Sequence, residues 1–543
     1  MNRAFIIKLS ALCLLMTLPL WAILAWKWPI STDLISYATA AKVFSTQFWA
    51  GELYPRWLVN TNAGFGSPVF LFYNPLAFYV MSFFEFIAPI DPHGFGRVFI
   101  GIMCAIIVSG LTSYRWLKQH LAIKTAEKGA LLYAGFPYLL LHIYGGFAIS
   151  QLWGIALFPL LMEAAEDTVH KGWRMLPKFA LAYALLCCIH LPSMLMFAGI
   201  PWLYVVVFAP AGQKAWTVAL ATGSALLGIA LSMIYLLPAL FNKPYIASQH
   251  YLGNNFGYSH DFLDTYSQLG LLSMIMPLVV LFFEIPKSDR RTTLTAQVRF
   301  WLVVQAGLMF MTLPLSKPIW DALPPLQYLQ FPFRFFLAML PGTVFIALHW
   351  LPHAKSKYAY KMLFVIGLIC SAIYSEQLKF FARESPITTI LDNNLVAPEY
   401  QTRWMEVHKI DFHRNVPDRF KAMRPVTFIT GKGSASITMQ DSRHMTLHVN
   451  ITSRDATLAL HQFYFPGWQA TPPAEVLEQD ALLSLHTPKG NYDIRLNLPW
   501  YTGEREGMIV SLGALGIVLS VASCSLLVAS NKVKNAKQRA TSN

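Results

Sequence analysis

The chain contains long apolar runs, and this feature limits its fold more than any other. A bilayer core takes about 20 apolar residues per helix, and only helices or closed barrels satisfy their backbone groups there. Because the runs are continuous and do not alternate with polar residues, we predict helices. Only 13% of the residues are charged, against about 25% in ordinary globular domains. Twelve spans are predicted, at residues 5–26, 96–115, 128–145, 149–165, 177–190, 193–210, 215–240, 267–286, 297–315, 334–352, 360–378 and 507–529.

The basic residues predict the orientation of these spans. Lys and Arg collect in loops 115–128, 170–178, 287–299 and 353–361 and in the C-terminal tail, which share one side if the N-terminus is cytoplasmic. Cytoplasmic loops normally carry this excess, so topology explains the net charge of +14 without a nucleic-acid partner. We therefore predict a multi-pass protein of a bacterial-type inner membrane, surrounded by membrane lipids, with both termini cytoplasmic.

Composition divides the chain into predicted domains. Residues 1–378 are predicted to form the transmembrane domain, with the long loop 27–95 on its outer face. Residues 379–505 alternate between apolar and polar positions and contain regular turn signals, which predicts a small exported β-sandwich domain. The final transmembrane helix is predicted at 506–530, followed by a basic cytoplasmic tail at 531–543.

The first outer loop carries the main candidates for chemistry. Asp33 follows the first predicted helix, and Tyr54 and Arg56 lie in the run Gly51–Trp57. A carboxylate at the outer face can act as a base or bind a metal, while an Arg close to it holds a phosphate. The alternative is that Asp33 caps the helix that follows it.

Loop 241–266 adds a second set of candidates. It contains Lys243 and the polar residues His260, Asp261 and Asp264. The last three residues are of the types that supply metal ligands or an acid and base pair. Ordinary solvated loop polarity is the alternative, with Asp264 as a helix cap.

Two further candidates lie at the ends of predicted spans. Arg334 opens a membrane helix, where it either snorkels to lipid head groups or binds a lipid phosphate in a bidentate manner. His190 lies between two apolar runs, and a histidine within a membrane is a functional candidate. The alternative for His190 is that it marks the outer end of a helix pair.

Three stretches carry a family resemblance. The first comprises Gly51–Trp57 and Gly64-Phe65-Gly66-Ser67-Pro68-Val69-Phe70-Leu71-Phe72-Tyr73-Asn74-Pro75-Leu76, the second is Gln330-Phe331-Pro332-Phe333-Arg334-Phe335, and the third is Phe463-Tyr464-Phe465-Pro466-Gly467-Trp468. In order and topology the chain resembles the 6-pyruvoyl-tetrahydropterin-synthase-related membrane-domain proteins. Those proteins belong with the GT-C superfamily of polyprenyl-phosphate-sugar-dependent glycosyltransferases.

The resemblance implies a GT-C-like fold, with Asp33 as the catalytic base or a metal ligand. Arg56 and Arg334 would bind the donor phosphate, with Tyr54, Gln330, Lys243 and His190 as further substrate-binding candidates. A divalent cation assists some GT-C enzymes and not others. Relatives often carry a His shortly after the first-loop Asp, which Leu34–Tyr37 lacks, and an acid on the second outer loop, which Tyr144–Gln151 lacks. Asp261 or Asp264 is then the candidate second acid.

The expected function is transfer of a sugar from a polyprenyl-phosphate carrier to an exported glycan, lipid or protein acceptor. The chain has no P-loop and no dinucleotide-binding fingerprint, which argues against transport driven by ATP through this chain alone. Two alternatives stay open: a transporter or flippase of lipid-linked material, and a non-catalytic scaffold for envelope glycans. Substitution of Asp33 by Asn discriminates among them, because only an enzyme needs that carboxylate for turnover.

Overall fold

The computed structural model describes residues 3–24, 28–29, 32–145, 148–247, 262–263, 265–355, 380–381, 387–412 and 415–541. Most of these residues are helical, because apolar runs without water must satisfy their backbone groups internally. The α-helices are Arg3–Leu24 (α1), Thr32–Trp49 (α2), Val69–Phe72 (α3), Leu76–Ser82 (α4), Phe95–Leu117 (α5), Ile123–Ala134 (α6), Pro137–Leu140 (α7), Ile149–Lys171 (α8), Leu176–Ile189 (α9), Leu191–Phe197 (α10), Gly199–Phe208 (α11), Lys214–Leu231 (α12), Met233–Asn242 (α13), Thr265–Met274 (α14), Met276–Glu284 (α15), Ala296–Phe310 (α16), Lys317–Ala322 (α17), Pro324–Gln327 (α18), Phe335–Trp350 (α19), Ile387–Asp392 (α20), Arg403–Val407 (α21), Asp418–Lys421 (α22) and Glu504–Thr541 (α23).

Several of these helices are long and apolar enough to cross a membrane. Among the described residues seven stretches qualify, or eight if the bent pair Ala296–Phe310 and Pro314–Ala322 counts as one span. One stretch, Ile149–Ile189, has 41 residues and would be about 60 Å long as one straight helix. It is broken at Gly172, where φ is +65°. The predicted total of about twelve spans stays a prediction, and the predicted span 360–378 lies outside the described residues.

Helix α19 lies at the centre of the helical domain. In its span 83% of the residues are buried, and it packs against α6, α14, α15 and α16. A second group of helices packs in chain order, with α5 on α8, α8 on α9 and α9 on α12. Helix α2 packs on α4 and α5, so the first loop folds onto the helical domain.

One predicted span differs from the structure. The predicted span 128–145 is interrupted after Ala134, because residue 135 is glycine and residue 137 is proline. At the other end of the chain the apolar stretch Glu504–Val528 lies close to the predicted final span, and its helix continues through the basic tail to Thr541. Lys, Arg, Ala and Gln are good helix formers, which explains this continuation.

The second domain is a small antiparallel sheet. Its strands are Val426–Thr430 (β3), Gly433–Gln440 (β4), His444–Phe463 (β5), Gln469–Ala470 (β6), Glu475–Gln479 (β7) and Leu482–Asn497 (β8). The order is β3-β5-β8-β6, with β4 also paired to β5 and β7 to β8. A separate short ladder pairs Trp28–Pro29 (β1) with Phe380–Phe381 (β2), so the first loop and the second domain begin side by side.

The strands do not form the two separate sheets of the predicted sandwich. They form one six-stranded sheet, because β5 and β8 are long enough to pair with different neighbours along their length. The register of β5 on β8 shifts between Ile451 and Asp455, where the pairing partner on the outer side of β5 changes from β4 to β3. Alternating polarity predicts which face of a strand is buried, but it does not predict which strand pairs with it. For this reason the sequence alone predicted a sandwich of two sheets.

The first loop is built into the core of the sheet domain. Trp57, Phe65 and Leu71 belong to the same buried cluster as the inner face of the sheet. The Phe65 ring stacks on His461 with centroids 3.7 Å apart, and the Phe463 amide donates to the Phe65 carbonyl at 2.9 Å. This contact fixes the sheet domain to one end of the helical domain, called here the sheet face.

Candidate functional site

Four helices begin close together at the sheet face. Asp33 lies in the first turn of α2 and Ser150 in the first turn of α8, while His190 and Arg334 directly precede α10 and α19. A helix N-terminus carries unpaired N–H groups and a partial positive charge. Such a group of N-termini favours an anionic ligand, and we call the residues around it the Asp33 cluster.

A chain of hydroxyl groups links two of these helices. Tyr37, one turn after Asp33 on α2, shares a hydrogen bond with the hydroxyl of Tyr73 from the first loop. Tyr73 in turn donates to Ser150 Oγ at 3.2 Å. These bonds hold α2, the first loop and α8 together beside Asp33, and they place three exchangeable protons there.

Asp33 is accessible to solvent although protein surrounds it. Its side chain is exposed, yet burial raises the pKa of its carboxyl, and the positive charge of Arg334 offsets part of that rise. A carboxyl group that lines a concave surface can be exposed to solvent and surrounded by protein at the same time. Asp33 is therefore available to a ligand from the sheet face and lies within electrostatic range of a guanidinium group.

Arg334 is positioned by the turn that precedes α19. Its Nη1 donates to the Leu329 carbonyl at 2.8 Å, and its guanidinium lies over the Phe331 ring at 5.1 Å. Gln330 has a φ of +64°, which bends the chain sharply before the helix. A guanidinium has five N–H donors in all, and among the described residues the Leu329 carbonyl accepts from Nη1.

Two histidines lie within electrostatic range of Arg334. His190 Nδ1 accepts from the Ser193 amide at 3.2 Å and caps α10. His142 Nδ1 lies 3.3 Å from the Tyr138 carbonyl. These bonds fix both imidazole rings beside Arg334.

A second carboxylate reaches the cluster from the sheet-domain side. Glu399 lies in the turn Pro398–Tyr400, and the ring of Tyr400 packs edge-on against Tyr73 with centroids 5.8 Å apart. Burial, together with the negative charge of Asp33, raises the pKa of Glu399 to about 7. Asp261 and Asp264, the candidate second acids implied by the resemblance, lie outside the described residues.

Arg56 lies in a contact with the last helix. Its side chain is only 3% exposed, and its Nε donates to Glu504 at 3.0 Å. Nη2 donates to the Ile234 carbonyl at 2.8 Å, and the guanidinium lies 3.9 Å from the ring centroid of the half-buried Tyr54. These contacts fix Arg56 in the fold, and the substrate-binding role predicted for Arg56 and Tyr54 stays a prediction.

Lys243 and Gln330 lie at the sheet face without contacting Asp33. Lys243 donates to the hydroxyl of Tyr328 and lies 4.2 Å from that ring's centroid. This contact joins loop 241–247 to the segment that leads into Gln330 and Arg334. The contact gives Lys243 a role in holding these loops, and the binding roles predicted for Lys243 and Gln330 stay predictions.

The predicted metal site rests on residues that the structure does not describe. His260 and Asp261 belong to the gap at 248–261, and Asp264 is a gap of its own. Within the described ranges no group of three or more His, Cys, Asp or Glu side chains is arranged to hold a metal. Asp33 and Glu399 supply two carboxylates there, and Mg²⁺ is often bound by one or two carboxylates with waters and substrate phosphates, so the predicted role of Asp33 as a metal ligand stays a prediction.

The resemblance motifs meet at the junction of the two domains. Trp57 of the first motif packs on Phe465 of the third with centroids 6.0 Å apart. Gly66 has a φ of +81°, and a Cβ there would overlap the Trp57 indole. Asn74 bridges to the helical domain, because its Nδ2 donates to the Cys187 carbonyl at 2.6 Å. These motifs thus position the loop that carries Tyr73.

Comparison with known families identifies the helical part of the chain. The family model for the 6-pyruvoyl-tetrahydropterin synthase related domain, described as a membrane protein, matches residues 70–379. A comparison with curated proteins finds no match. The matched range includes α5 to α19 and ends at the sheet domain. Since it covers more than half of the 543 residues, this protein belongs to the 6-pyruvoyl-tetrahydropterin-synthase-related family of membrane proteins.

Proposed function

We propose that the protein is a GT-C-type glycosyltransferase of a bacterial inner membrane. It moves a sugar from a polyprenyl-phosphate carrier to an exported glycan, lipid or protein acceptor at the outer face. The observation that carries the proposal is the Asp33 cluster, which combines an accessible carboxylate with Arg334 at a group of helix N-termini. Polar groups that complement a phosphate and a hydroxyl nucleophile are the minimum that this reaction needs.

The proposed reaction divides the cluster between donor and acceptor. The acceptor hydroxyl attacks the anomeric carbon, and the bond from that carbon to the phosphate oxygen breaks. Arg334 and the N-terminus of α8 stabilise the charge on the leaving phosphate. Asp33 orients the acceptor hydroxyl or takes its proton, while the Tyr37–Tyr73–Ser150 chain fixes the sugar hydroxyls by hydrogen bonds.

The proposed topology puts the sheet face outside the cytoplasm. The two basic loops 115–128 and 170–178 share an acidic partner. Arg115 of the first loop and Lys178 of the second both pair with Glu163, at 3.1 and 3.0 Å. These loops therefore lie on one side of the helical domain. The excess of Lys and Arg makes that side cytoplasmic, and it supports the proposal that the Asp33 cluster faces the outer leaflet.

The test compares cells that lack the gene with cells that carry wild type, Asp33→Asn or Asp418→Asn. Mass spectrometry measures lipid-linked sugars and envelope glycans at equal protein levels. We expect the Asp33→Asn strain to lack one glycan modification and to accumulate a polyprenyl-phosphate sugar. Asp418 is exposed on the sheet domain, so its variant should match wild type. Identical profiles for wild type and Asp33→Asn would refute the catalytic role and favour a flippase or a scaffold.

A further inference from the structure

The segment 396–402 is held across the Asp33 cluster from two sides. On one side the Val396 amide donates to Asn62 Oδ1 at 3.3 Å, and Ser67 Oγ donates to the Tyr400 carbonyl at 3.2 Å. On the other side the Ala247 amide donates to the Gln401 carbonyl at 3.0 Å. Contacts on both flanks fix the turn that carries Glu399, so its position follows from the fold and not from a free loop.

Aromatic contacts place Tyr400, the neighbour of Glu399 in the chain, against the Asp33 cluster. The Tyr400 ring packs on Tyr73, and Tyr73 bonds to Tyr37, which lies one helical turn from Asp33. The negative charge of Asp33 acts on the Glu399 carboxyl. The sheet-domain side thus adds a second carboxylate to a cluster that otherwise comes from the helical domain.

The two carboxylates have different surroundings. Arg334 lies within electrostatic range of Asp33, whereas no described residue gives the Glu399 side chain an ion pair or a hydrogen bond from another side chain. The hydroxyl groups nearby, on Tyr37, Tyr73 and Tyr400, are neutral near pH 7. A carboxylate beside a cation is held as an anion, but one without a cation exchanges its proton more readily near neutral pH.

We propose that Glu399 accepts the proton of the acceptor hydroxyl, while Asp33 orients that hydroxyl and Arg334 binds the phosphate. This inference rests on the proposed function. The acceptor oxygen forms a bond to the anomeric carbon as its proton passes to Glu399, and the electron pair of the broken carbon–oxygen bond leaves with the phosphate. The products are the glycosylated acceptor, polyprenyl phosphate and a protonated Glu399, which later releases its proton to water.

If Glu399 accepts the proton, the rate of sugar transfer depends on pH. Because the pKa of Glu399 lies at about 7, its basic form increases as the pH rises through that value. A general base is most useful when its pKa lies near the operating pH. Transfer should therefore increase between about pH 6 and pH 8, with Asp33, Tyr400 and, beyond Tyr400, Tyr73 and Tyr37 as the titratable groups on the Glu399 side of the cluster.

The experiment uses right-side-out membrane vesicles from the deletion strain carrying the full chain as wild type, Glu399→Gln, Glu399→Asp, Asp33→Asn or Asp418→Asn. The membranes supply donor and acceptor, and the buffer sets the pH at the outer face. Transfer is measured as the glycan modification that wild type restores. We expect Glu399→Gln to lose roughly 100-fold or more of it and to accumulate the donor. Glu399→Asp should retain part of the transfer, still with pH dependence.

The outcomes separate the two proposals. If Glu399→Gln transfers like wild type while Asp33→Asn does not, the role of Glu399 is refuted and glycosyl transfer stands. If wild type and the deletion strain have identical glycans, the proposed function fails and the role of Glu399 falls with it. If the Glu399→Gln protein does not accumulate in the membrane, the Glu399→Asp variant becomes the test. Transfer by that variant that depends on pH supports Glu399 as the proton acceptor. Transfer that is absent, or that does not change with pH, refutes this role.

Discussion

Glu504 is the position at which one substitution should destabilise the junction of the two domains most. Its carboxylate accepts from Arg56 Nε at 3.0 Å, from Arg443 Nη2 at 2.7 Å and from the Tyr501 amide at 3.0 Å. The Arg56 side chain is 3% exposed and that of Glu504 is 9% exposed. Three segments distant in sequence therefore depend on one buried anion.

Glu504→Gln keeps the shape of the side chain and removes its charge. Breaking a buried ion pair by neutralising one partner costs about 3–5 kcal/mol, because it leaves the other charge buried and unpaired. Arg56 is the group left in that state, and among the described residues the Ile234 carbonyl is its remaining acceptor. Arg443 is 23% exposed and can turn toward water, so it adds little to the cost.

Thermal unfolding of the purified full chain in detergent, followed by tryptophan fluorescence, measures the effect. At roughly 2–4 °C per kcal/mol, the midpoint should fall by roughly 6–20 °C. The control is Asp418→Asn, which removes an exposed pair with Lys421 in the same domain and should leave the midpoint unchanged.

A variant in which both Arg56 and Glu504 are replaced tests whether the cost comes from the unpaired buried charge. Replacing both partners of a buried pair by apolar side chains is often neutral or even stabilising. Arg56→Met combined with Glu504→Met should therefore recover most of the stability that Glu504→Gln loses. A loss of less than about 1 kcal/mol in Glu504→Gln would refute the reasoning, because it would mean that water already screens this pair.

Three further predictions test other parts of the structure. Gly66→Ala should destabilise the chain by about 1–3 kcal/mol, seen as a lower unfolding midpoint, because of its positive φ and the overlap with Trp57. Because the pKa of Glu399 is raised, the folded state should lose up to roughly 2 kcal/mol of stability as the pH rises from about 4.5 through 7. Glu399→Gln should remove this pH dependence from the unfolding midpoints measured at pH 5 and 8. Tyr73→Phe should lower glycan modification about tenfold, whereas Tyr183→Phe, which loses a hydroxyl remote from the cluster, should not.

The apolar runs and the composition change near residue 379 were sufficient to predict a helical membrane domain and a sheet domain. Both signals are local, because lipid exposure and strand alternation act on each segment by itself. The pairing of strands is not local. Strand β5 meets β4 along its first half and β3 along its second, and nothing in residues 444–463 alone distinguishes this from two strands in separate sheets.

Sequence alone predicted a site residue only where the type of that residue and its position in the chain were informative by themselves. Asp33 and Arg334 each stand at the start of a helix, and the structure brings them within electrostatic range of each other. Arg56 shows the limit of this reasoning, since its partner Glu504 lies 448 residues away in the chain. Glu399 had no signal at all, because an isolated Glu in a polar segment is usually a solvated side chain.

The hydroxyl chain could have been inferred in part. Tyr37 follows Asp33 by one helical turn, and this spacing puts the two side chains on the same face of α2. Its partner Tyr73 lies in the resemblance motif, but the sequence does not say which helix face that loop meets. Ser150 is separated from Tyr73 by 77 residues and four further α-helices.

The Arg56–Glu504 pair also sets the order in which the chain can mature during synthesis. The two residues are 448 positions apart, so at roughly 5–20 residues per second the ribosome needs roughly 20–90 s to make Glu504 after Arg56. During that interval the guanidinium of Arg56 lacks the carboxylate that pairs with it in the folded chain. Tyr73 belongs to the same first loop, so the ion pair that fixes this loop to α23 forms only after Glu504 has been made. A chain that stops before residue 504 would therefore lack the carboxylate partner of Arg56.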